Sequence, residues 1–418
     1  MISKEILRSI VKQQKGQQGE SGLIDRDLLP ELLGVFGERR IIVLTGMRRT
    51  GKSTLMKQIM GRKKNSAYFN FEDEKLLDFD AKDFEMLNEA LIEEYGNAQI
   101  YFFDEIQNVS KFELFVRRLQ DQGKKVVLTG SNASLLSQEF GTRLTGRYKP
   151  FEIYPFSFRE FLRLRSIETG KETPYQTGGR VEALKAFRQY IIQGGLPEFL
   201  KNNDPQYAKT LYDNILYRDI ISRHMIRRQR LLRELVGLLT NQIGSRFTYN
   251  SLKKALGFSN AISVKEYVGF MSNSYLFFEL NKFDYSVRRQ LDAPKKIYIN
   301  DPAFYQIAGL SKLDNLGRLL ENAVFIELRR RGSEAFYFSK EGECDFVLKE
   351  GAKIAHAIQV CYELNAKNRP REIGGLKEAM DEFGLKEGVI LTFEQQEDIQ
   401  SSGKKIHVLP AWRWMLGL

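Results

Sequence analysis

The stretch Arg40–Met56, "RIIVLTGMRRTGKSTLM", decides how the rest of the chain is read. Four apolar residues, Ile41 to Leu44, lead into a loop bounded by Gly46 and Gly51, and the residues beyond can continue as a helix. "GMRRTGKS" has the spacing G-x-x-x-x-G-K-[ST], in which each fixed position has a physical purpose. Glycines let backbone N–H groups turn inward around a β-phosphate, a lysine reaches the β- and γ-phosphates, and a serine hydroxyl can sit on Mg²⁺. The helix that starts here adds the positive end of its dipole. Gly46, Met47, Arg48, Arg49, Thr50, Gly51, Lys52, Ser53 and Thr54 are therefore expected to form a nucleotide site, with ATP and Mg²⁺ as its ligands. A glycine-rich turn with a chance lysine would look similar, but it would not need the strand–loop–helix context present here. Arg48 and Arg49 stand at positions that the pattern leaves open.

Outward from this loop, short apolar runs alternate with helical patterns from Arg40 to about Ile153: "RIIVLTG", "SAYFNF", "QIYFFDE", "KKVVLTGS" and "YKPFEIY". Several are apolar at every residue, as strands covered on both faces are. The segments between them are long enough for crossover helices, so the expected fold is α/β, a parallel three-layer P-loop core. Beyond it the pattern turns helical and strand-like runs vanish. The expected organisation is a helix and loop over 1–21, the ATPase core over 22–155, a helical lid over 156–232, a winged helix-turn-helix over 233–299 and a further α/β unit over 300–418. The winged module is read from "LLRELVGLLTNQIGS", from "TYNSLKKALGF" with Thr248 as its N-cap, and from a third helix running into a strand, with "KFDYS" and "KKIYIND" as the wing.

"IYFFDEIQ" supplies the second half of a hydrolysis site. Asp104 and Glu105 stand at a strand's C-terminal end, where open α/β sheets bind ligands. Asp104 is expected to complete the Mg²⁺ shell, and Glu105 to polarise water as general base. In "VVLTGSNASLL", Ser131 or Asn132 is a candidate sensor of the γ-phosphate, although both residue types also favour helix N-caps. Arg143 and Arg147, in "GTRLTGRYKP", are candidates to reach the γ-phosphate of a neighbouring subunit, which makes a homo-oligomer one expected assembly. Plain surface basicity explains either arginine equally well.

Composition adds bounds. The chain has 418 residues, 42% hydrophobic and 28% charged, with a net charge of +11. That balance suits a soluble globular protein and permits an anionic partner without requiring one. No apolar run approaches the roughly 20 residues that span a bilayer, and no signal-peptide pattern is present. Two cysteines and three histidines argue against a disulfide framework or a Cys/His zinc site. No membrane partner and a cytoplasmic location are expected.

Walker A, a D-E Walker B, a polar sensor, arginines and a helical lid follow the order of AAA-type ATPases. The motifs "YFNFED", "FFDEIQNV", "LTGSNASLL", "RLTGRY" and "YPFSFREFL", with "QGGLPEFL", "NILYRDIISRHMI" and "GRLLENAVFIELRRRG", resemble one prokaryotic family of such ATPases across nearly the whole chain. Its members end in an endonuclease-like domain of unknown function. The resemblance implies an ATPase more firmly than a biological role. "GGLPE" looks like the glycine–proline signature that lids of related signalling ATPases place against adenine, with Pro197 as its flat apolar face; a helix stop reads as well.

The last domain resembles the PD-(D/E)xK nuclease fold, with Glu321 and Asp345 in its first two acidic places. Gln359 stands where the motif has glutamate and Cys361 where it has lysine; Lys353 and Lys367 are not obvious substitutes. A neutral thiol cannot do a lysine's electrostatic work, so a degenerate nuclease kept for structure or binding is expected. Arg223, Arg227, Arg228, Arg230 and Arg233 are read as one helical stretch and, with Lys253, Lys254 and Lys265, make DNA a candidate partner of the lid and winged helix. A solvated helix face is the plainer reading. The rival functions are metal-dependent DNA cleavage and an ATP-driven switch that recruits proteins without a nucleic-acid role.

Overall fold

The five apolar runs become five parallel strands: β1 (Ile41–Thr45), β2 (Ser66–Asn70), β3 (Ile100–Asp104), β4 (Lys125–Gly130) and β5 (Tyr148–Glu152). Their order in the sheet is β2-β3-β4-β1-β5. The computed structural model describes residues 2–16, 22–132, 146–308, 315–401 and 403–418. Successive side chains of a strand point to opposite faces. Ile41 and Val43, with Phe69, Phe103 and Leu128, accordingly pack with residues of the helices Phe84–Tyr95 and Phe112–Asp121. Ile42 and Leu44, with Tyr68, Phe102 and Val127, pack with residues of the helices Leu29–Gly34 and Lys52–Arg62. Both faces are covered, which is why β1 shows no alternation in sequence.

The helix Lys4–Gly16 adds Leu7, Ile10 and Val11 to the first face. Register pairs Thr45 with Gly130 and Phe103 with Leu128, so the C-terminal ends of β1, β3 and β4 lie side by side.

The chain divides into two compact units, Met1–Tyr154 with Asn273–Tyr275, and Pro155–Ser272 with Leu276–Leu418. In the second, a capping box between Ser157 and Glu160 starts the helix Phe158–Leu164. Helices Thr177–Gln193, Pro197–Asn202 and Pro205–Asn214 follow, and a π-helical segment, Ile215–Ser222, continues the last of them.

The five arginines do not share a helix. The Ile226 N–H closes back onto the Ile221 carbonyl at 3.0 Å, Met225 takes φ 50°, and Ile226 is buried by the turn that results. Arg223, Arg227 and Arg228 lie in this connection, and only Arg230 and Arg233 lie in the next helix, Gln229–Asn241. All five are exposed.

Three antiparallel strands follow, β6 (Arg246–Phe247), β7 (Phe277–Leu280) and β8 (Lys295–Ile299), in the order β6-β8-β7. The helices Tyr249–Leu256 and Ala261–Asn273 lie between the first two, and Thr248 caps the former as expected. "KFDYS" is not the wing strand. The partner of β8 is β7, while Asp284 accepts the Ser286 N–H at 2.8 Å and Ser286 caps the short helix Val287–Asp292. Asp and Ser turn chemistry overrides the apolar alternation there.

The C-terminal sheet has β9 (Glu334–Ser339), β10 (Glu343–Glu350), β11 (Lys353–Val360), β12 (Glu387–Thr392), β13 (Glu397–Ser401) and β14 (Lys404–Pro410), ordered β13-β14-β12-β11-β10-β9. The helix Leu316–Arg330 precedes it in sequence, and the helix Arg369–Glu382 lies between β11 and β12. Among the described residues no helix is long and apolar enough to cross a membrane.

Candidate functional site

The loop after β1 is shaped by its glycines. Gly46 has φ 144° and Gly51 φ 92°, and a Cβ on Gly46 would sit 2.2 Å from the Ile153 carbonyl oxygen, so only glycine fits there. The Thr50 hydroxyl donates to the Met47 carbonyl at 2.9 Å across the loop. Lys52 opens the helix Lys52–Arg62 and is buried; its ammonium donates to the Gly46 and Met47 carbonyls at 3.0 Å each. Arg48 pairs with Glu72 at 2.9 Å, while Arg49, at φ 65°, is exposed. Ser53 and Thr54 follow Lys52 in the helix's first turn.

Asp104 ends β3, and its carboxylate accepts hydrogen bonds from Ser53, from the Thr129 hydroxyl and from the Tyr68 hydroxyl, the last at 3.1 Å. Burial pushes its pKa up; the three hydrogen bonds oppose this. Ser53 and Asp104 therefore touch, as two ligands of one octahedral metal must nearly do.

Glu105 turns the chain out of the strand at φ 51°, and its N–H donates to Thr129 Oγ1 at 2.9 Å. Its carboxylate meets the Ser131 hydroxyl at 3.3 Å and the Gln107 amide, and lies 4.0 Å from the Lys52 ammonium. Burial raises its pKa, but Lys52, Gln107, Arg48 and Ser131 together outweigh burial and hold the carboxyl below the ordinary glutamate range. A left-handed, non-glycine residue carrying a buried ionised carboxylate is the kind of strain that functional sites retain. Of the candidate sensors, Ser131 contacts Glu105, and Asn132 lies buried beside it.

Arg147 does not join this site. The pairing of Ile41 with Tyr148 puts it before the start of β1, at the opposite end of the sheet, where it pairs with Asp121 at 2.6 Å. Arg143 lies outside the described residues. Pro197 belongs to the second unit and opens the helix Pro197–Asn202. The glycines before it serve packing within that unit. The Gly195 N–H donates to Asp301 at 2.7 Å, and a Cβ on Gly194 would meet Asp301 Oδ1 at 1.9 Å. Burial pushes Asp301 up to about 7 against the backbone N–H donors of Gly195, Ala303 and Leu196.

Glu321, Asp345 and Gln359 do converge in the second unit. Gln359 Oε1 accepts the Asp345 N–H at 3.1 Å, and Glu321 and Asp345 share one cation, Lys296, at 3.0 and 2.7 Å. Cys361 is buried, its thiol pushed up to about 12 by burial.

Four residues around the phosphate loop and the acidic pair lack a motif in the sequence. Thr129 was visible as a hydroxyl in an otherwise apolar strand, and Gln107 as a polar residue just past the acidic pair; Tyr68 gave no signal. Arg26 gave none either. It is buried, and its guanidinium donates to the Thr50 carbonyl at 2.6 Å and the Tyr154 carbonyl at 2.7 Å, tying the loop to the end of β5. Hydrogen bonds from a charged donor contribute about 1.5–3 kcal/mol each. Arg26→Ala is expected to weaken ATP binding by about 10- to 100-fold with the fold retained, read as Kd by fluorescent-nucleotide titration and as a circular dichroism spectrum. An unaltered Kd removes Arg26 from the site.

Comparison with known proteins agrees with this geometry. A family model described as "AAA domain" matches residues 38–162, and one described as "Domain of unknown function (DUF8612)" matches residues 184–315. The "Uncharacterized protein MJ1544" of Methanocaldococcus jannaschii is 35% identical over 445 residues, covering 100% of this chain and 96% of that protein. An uncharacterized protein of Haemophilus influenzae is 27% identical over 393 residues, covering 90% and 94%. Among solved structures, the Aeropyrum pernix ORC1 protein in complex with DNA aligns at TM-score 0.31 and 11% identity, covering 69% of this chain and 93% of that one. Domain III of the Thermotoga maritima replication initiation protein DnaA aligns at TM-score 0.29 and 16% identity, covering 48% and 89%. Scores this low bear on neither fold nor function. The identity along its whole length places the chain in the family of the M. jannaschii protein, and its first unit is built around a P-loop AAA domain.

Proposed function

We propose that the first unit binds and hydrolyses ATP with Mg²⁺. The observation that carries this is the contact of Ser53 with Asp104 beside a Glu105 held ionised near Lys52. The loop amides and Lys52 hold the β- and γ-phosphates; Ser53 and Asp104 hold the metal. Mg²⁺, when bound, offsets the charge of the phosphate oxygens. Glu105 takes the proton of the attacking water, and Ser131, with Asn132 behind it, orients that water. Thr129 and Tyr68 fix the carboxylate of Asp104. Ser53→Ala is the test: ATP binding in EDTA stays within about threefold of wild type, while the Mg²⁺ concentration needed for half-maximal turnover rises by about tenfold or more. An unmoved Mg²⁺ requirement contradicts the assignment.

In this reading hydrolysis drives a conformational change in the appended modules. The helices and strands from Gln229 to Ile299 are assigned as a winged helix-turn-helix, on the order of their elements. Residues 300–418 are assigned as a nuclease-like domain without cleavage activity, on the convergence of Glu321, Asp345 and Gln359.

A second reading, DNA contact by the second unit, is favoured by the exposure of Arg223, Arg227, Arg228, Arg230 and Arg233. It predicts an affinity for duplex DNA that falls steeply with salt, about one unit of log–log slope for each phosphate contacted. Binding that is flat between low and physiological salt rules it out.

A further inference from the structure

The acidic cluster of the second unit contains a cation of its own. Lys296, in β8, is 1% exposed, and its ammonium lies 2.7 Å from Asp345, 2.8 Å from Glu343 and 3.0 Å from Glu321. Asp345 and Glu343 come from β10, and Glu321 from the helix Leu316–Arg330. A lysine has three N–H donors, and three carboxylates are in reach of them. Each carboxylate has a further partner. Asp345 also accepts the Val360 N–H at 3.0 Å, Glu321 accepts the Tyr298 hydroxyl at 2.8 Å, and Arg246 of β6 pairs with Glu343 at 3.2 Å. The backbone of Gly244 covers the site: a Cβ there would stand 3.0 Å from Glu321 Oε2.

Three carboxylates this close repel one another unless a cation sits among them. Burial and the neighbouring Asp345 still push Glu321 up to about 7. Burial works against the charge of Lys296, yet Asp345, Glu321 and Glu343 hold its proton well above the ordinary lysine range.

We infer that Lys296 is a resident cation standing where a nuclease-type site holds a divalent metal, so that the cluster clamps the three-stranded sheet to the six-stranded one and takes up no metal. The inference rests on the nuclease-like reading only for what the lysine replaces; the clamp itself stands on the distances. A divalent ion binds carboxylate oxygens at about 2.0–2.6 Å, in the space the ammonium fills. A catalytic lysine would need substrate access. Lys296 is 1% exposed and Asp345 5%, with Gln359 and Tyr298 also buried, so the ammonium does not face solvent; only Glu343, at 31%, reaches the surface. The sequence hid this because the lysine lies outside the acidic motif, in the strand "KKIYI".

The test uses the full chain without nucleotide, with Mn²⁺ as the probe. Both tryptophans, Trp412 and Trp414, lie in the second unit, so their fluorescence follows its melting. The wild type is expected to melt at the same temperature in millimolar Mn²⁺ and in EDTA. Lys296→Ala is expected to melt about 10 °C lower in EDTA and to regain at least about half of that loss in Mn²⁺. Lys296→Ala with Asp345→Asn should regain nothing. A Lys296→Ala chain that Mn²⁺ does not stabilise, whether or not it folds in EDTA, overturns the inference. So does a Mn²⁺ shift in the wild type that Asp345→Asn abolishes. DNA cleavage is assayed in parallel: cutting by the wild type that is lost in both Asp345→Ala and Lys296→Ala sinks the non-cleaving reading and this one together. Metal rescue of Lys296→Ala without cutting sustains the inference on its own.

Discussion

Glu105→Gln is expected to bind Mg²⁺-ATP within about threefold of wild type and to release phosphate about 10²- to 10⁴-fold more slowly, the range that a positioned general base contributes. The substitution changes little else. Glutamine keeps the volume and can still accept the Ser131 hydroxyl and the Gln107 amide that now meet the carboxylate. It loses the negative charge held near Lys52 and with it the capacity to take a proton. The sign of the pH dependence follows from the same contacts. Because the carboxyl sits below the ordinary glutamate range, the base is ionised through neutral pH, and turnover falls on the acid side only below that range. An acid limb near neutrality, or undiminished hydrolysis by Glu105→Gln, would take the base away from this residue.

Lys52→Ala is expected to weaken ATP binding by at least about 100-fold, since charge-assisted bonds to phosphate are the strongest polar contacts a loop of this kind makes. In the structure the ammonium donates to the Gly46 and Met47 carbonyls, bonds it can exchange for phosphate oxygens without leaving the loop. The substitution also removes the charge that does most to lower the Glu105 pKa, so that carboxyl moves upward and any residual turnover acquires an acid limb at higher pH. Isothermal titration with ATP, together with a pH profile of residual activity, reads both effects. Binding that survives the substitution would mean that the loop amides alone hold the phosphates.

How far the sequence carried depended on whether a signal was local. β1, β3 and β4 were legible as apolar, buried runs, and strand–loop–helix spacing placed Lys52 and Ser53 at a sheet end. Asp104 and Glu105 were legible only together with the phosphate loop, because an acidic strand end alone reads equally well as a solvated one. Contacts made across the sheet were not legible. Tyr68 and Thr129 reach Asp104 and Glu105 through the register of β2, β3 and β4, and Arg26 reaches the loop from the segment before the helix Leu29–Gly34.

The same limit explains the second unit. The nuclease motif has its lysine at the place of Cys361, whereas the cation comes from β8, distant in sequence. Spacing alone lets the five arginines pass for one helical stretch, whereas Met225 at φ 50° and the bond from the Ile226 N–H to the Ile221 carbonyl close a turn between them.

Phosphate release from ATP by the wild-type chain, followed as Mg²⁺ is titrated from EDTA into excess, tests the central claim most directly. The account predicts no release in EDTA and a saturating rise with Mg²⁺. Release that is absent at every Mg²⁺ concentration, or that proceeds as fast in EDTA, would contradict it.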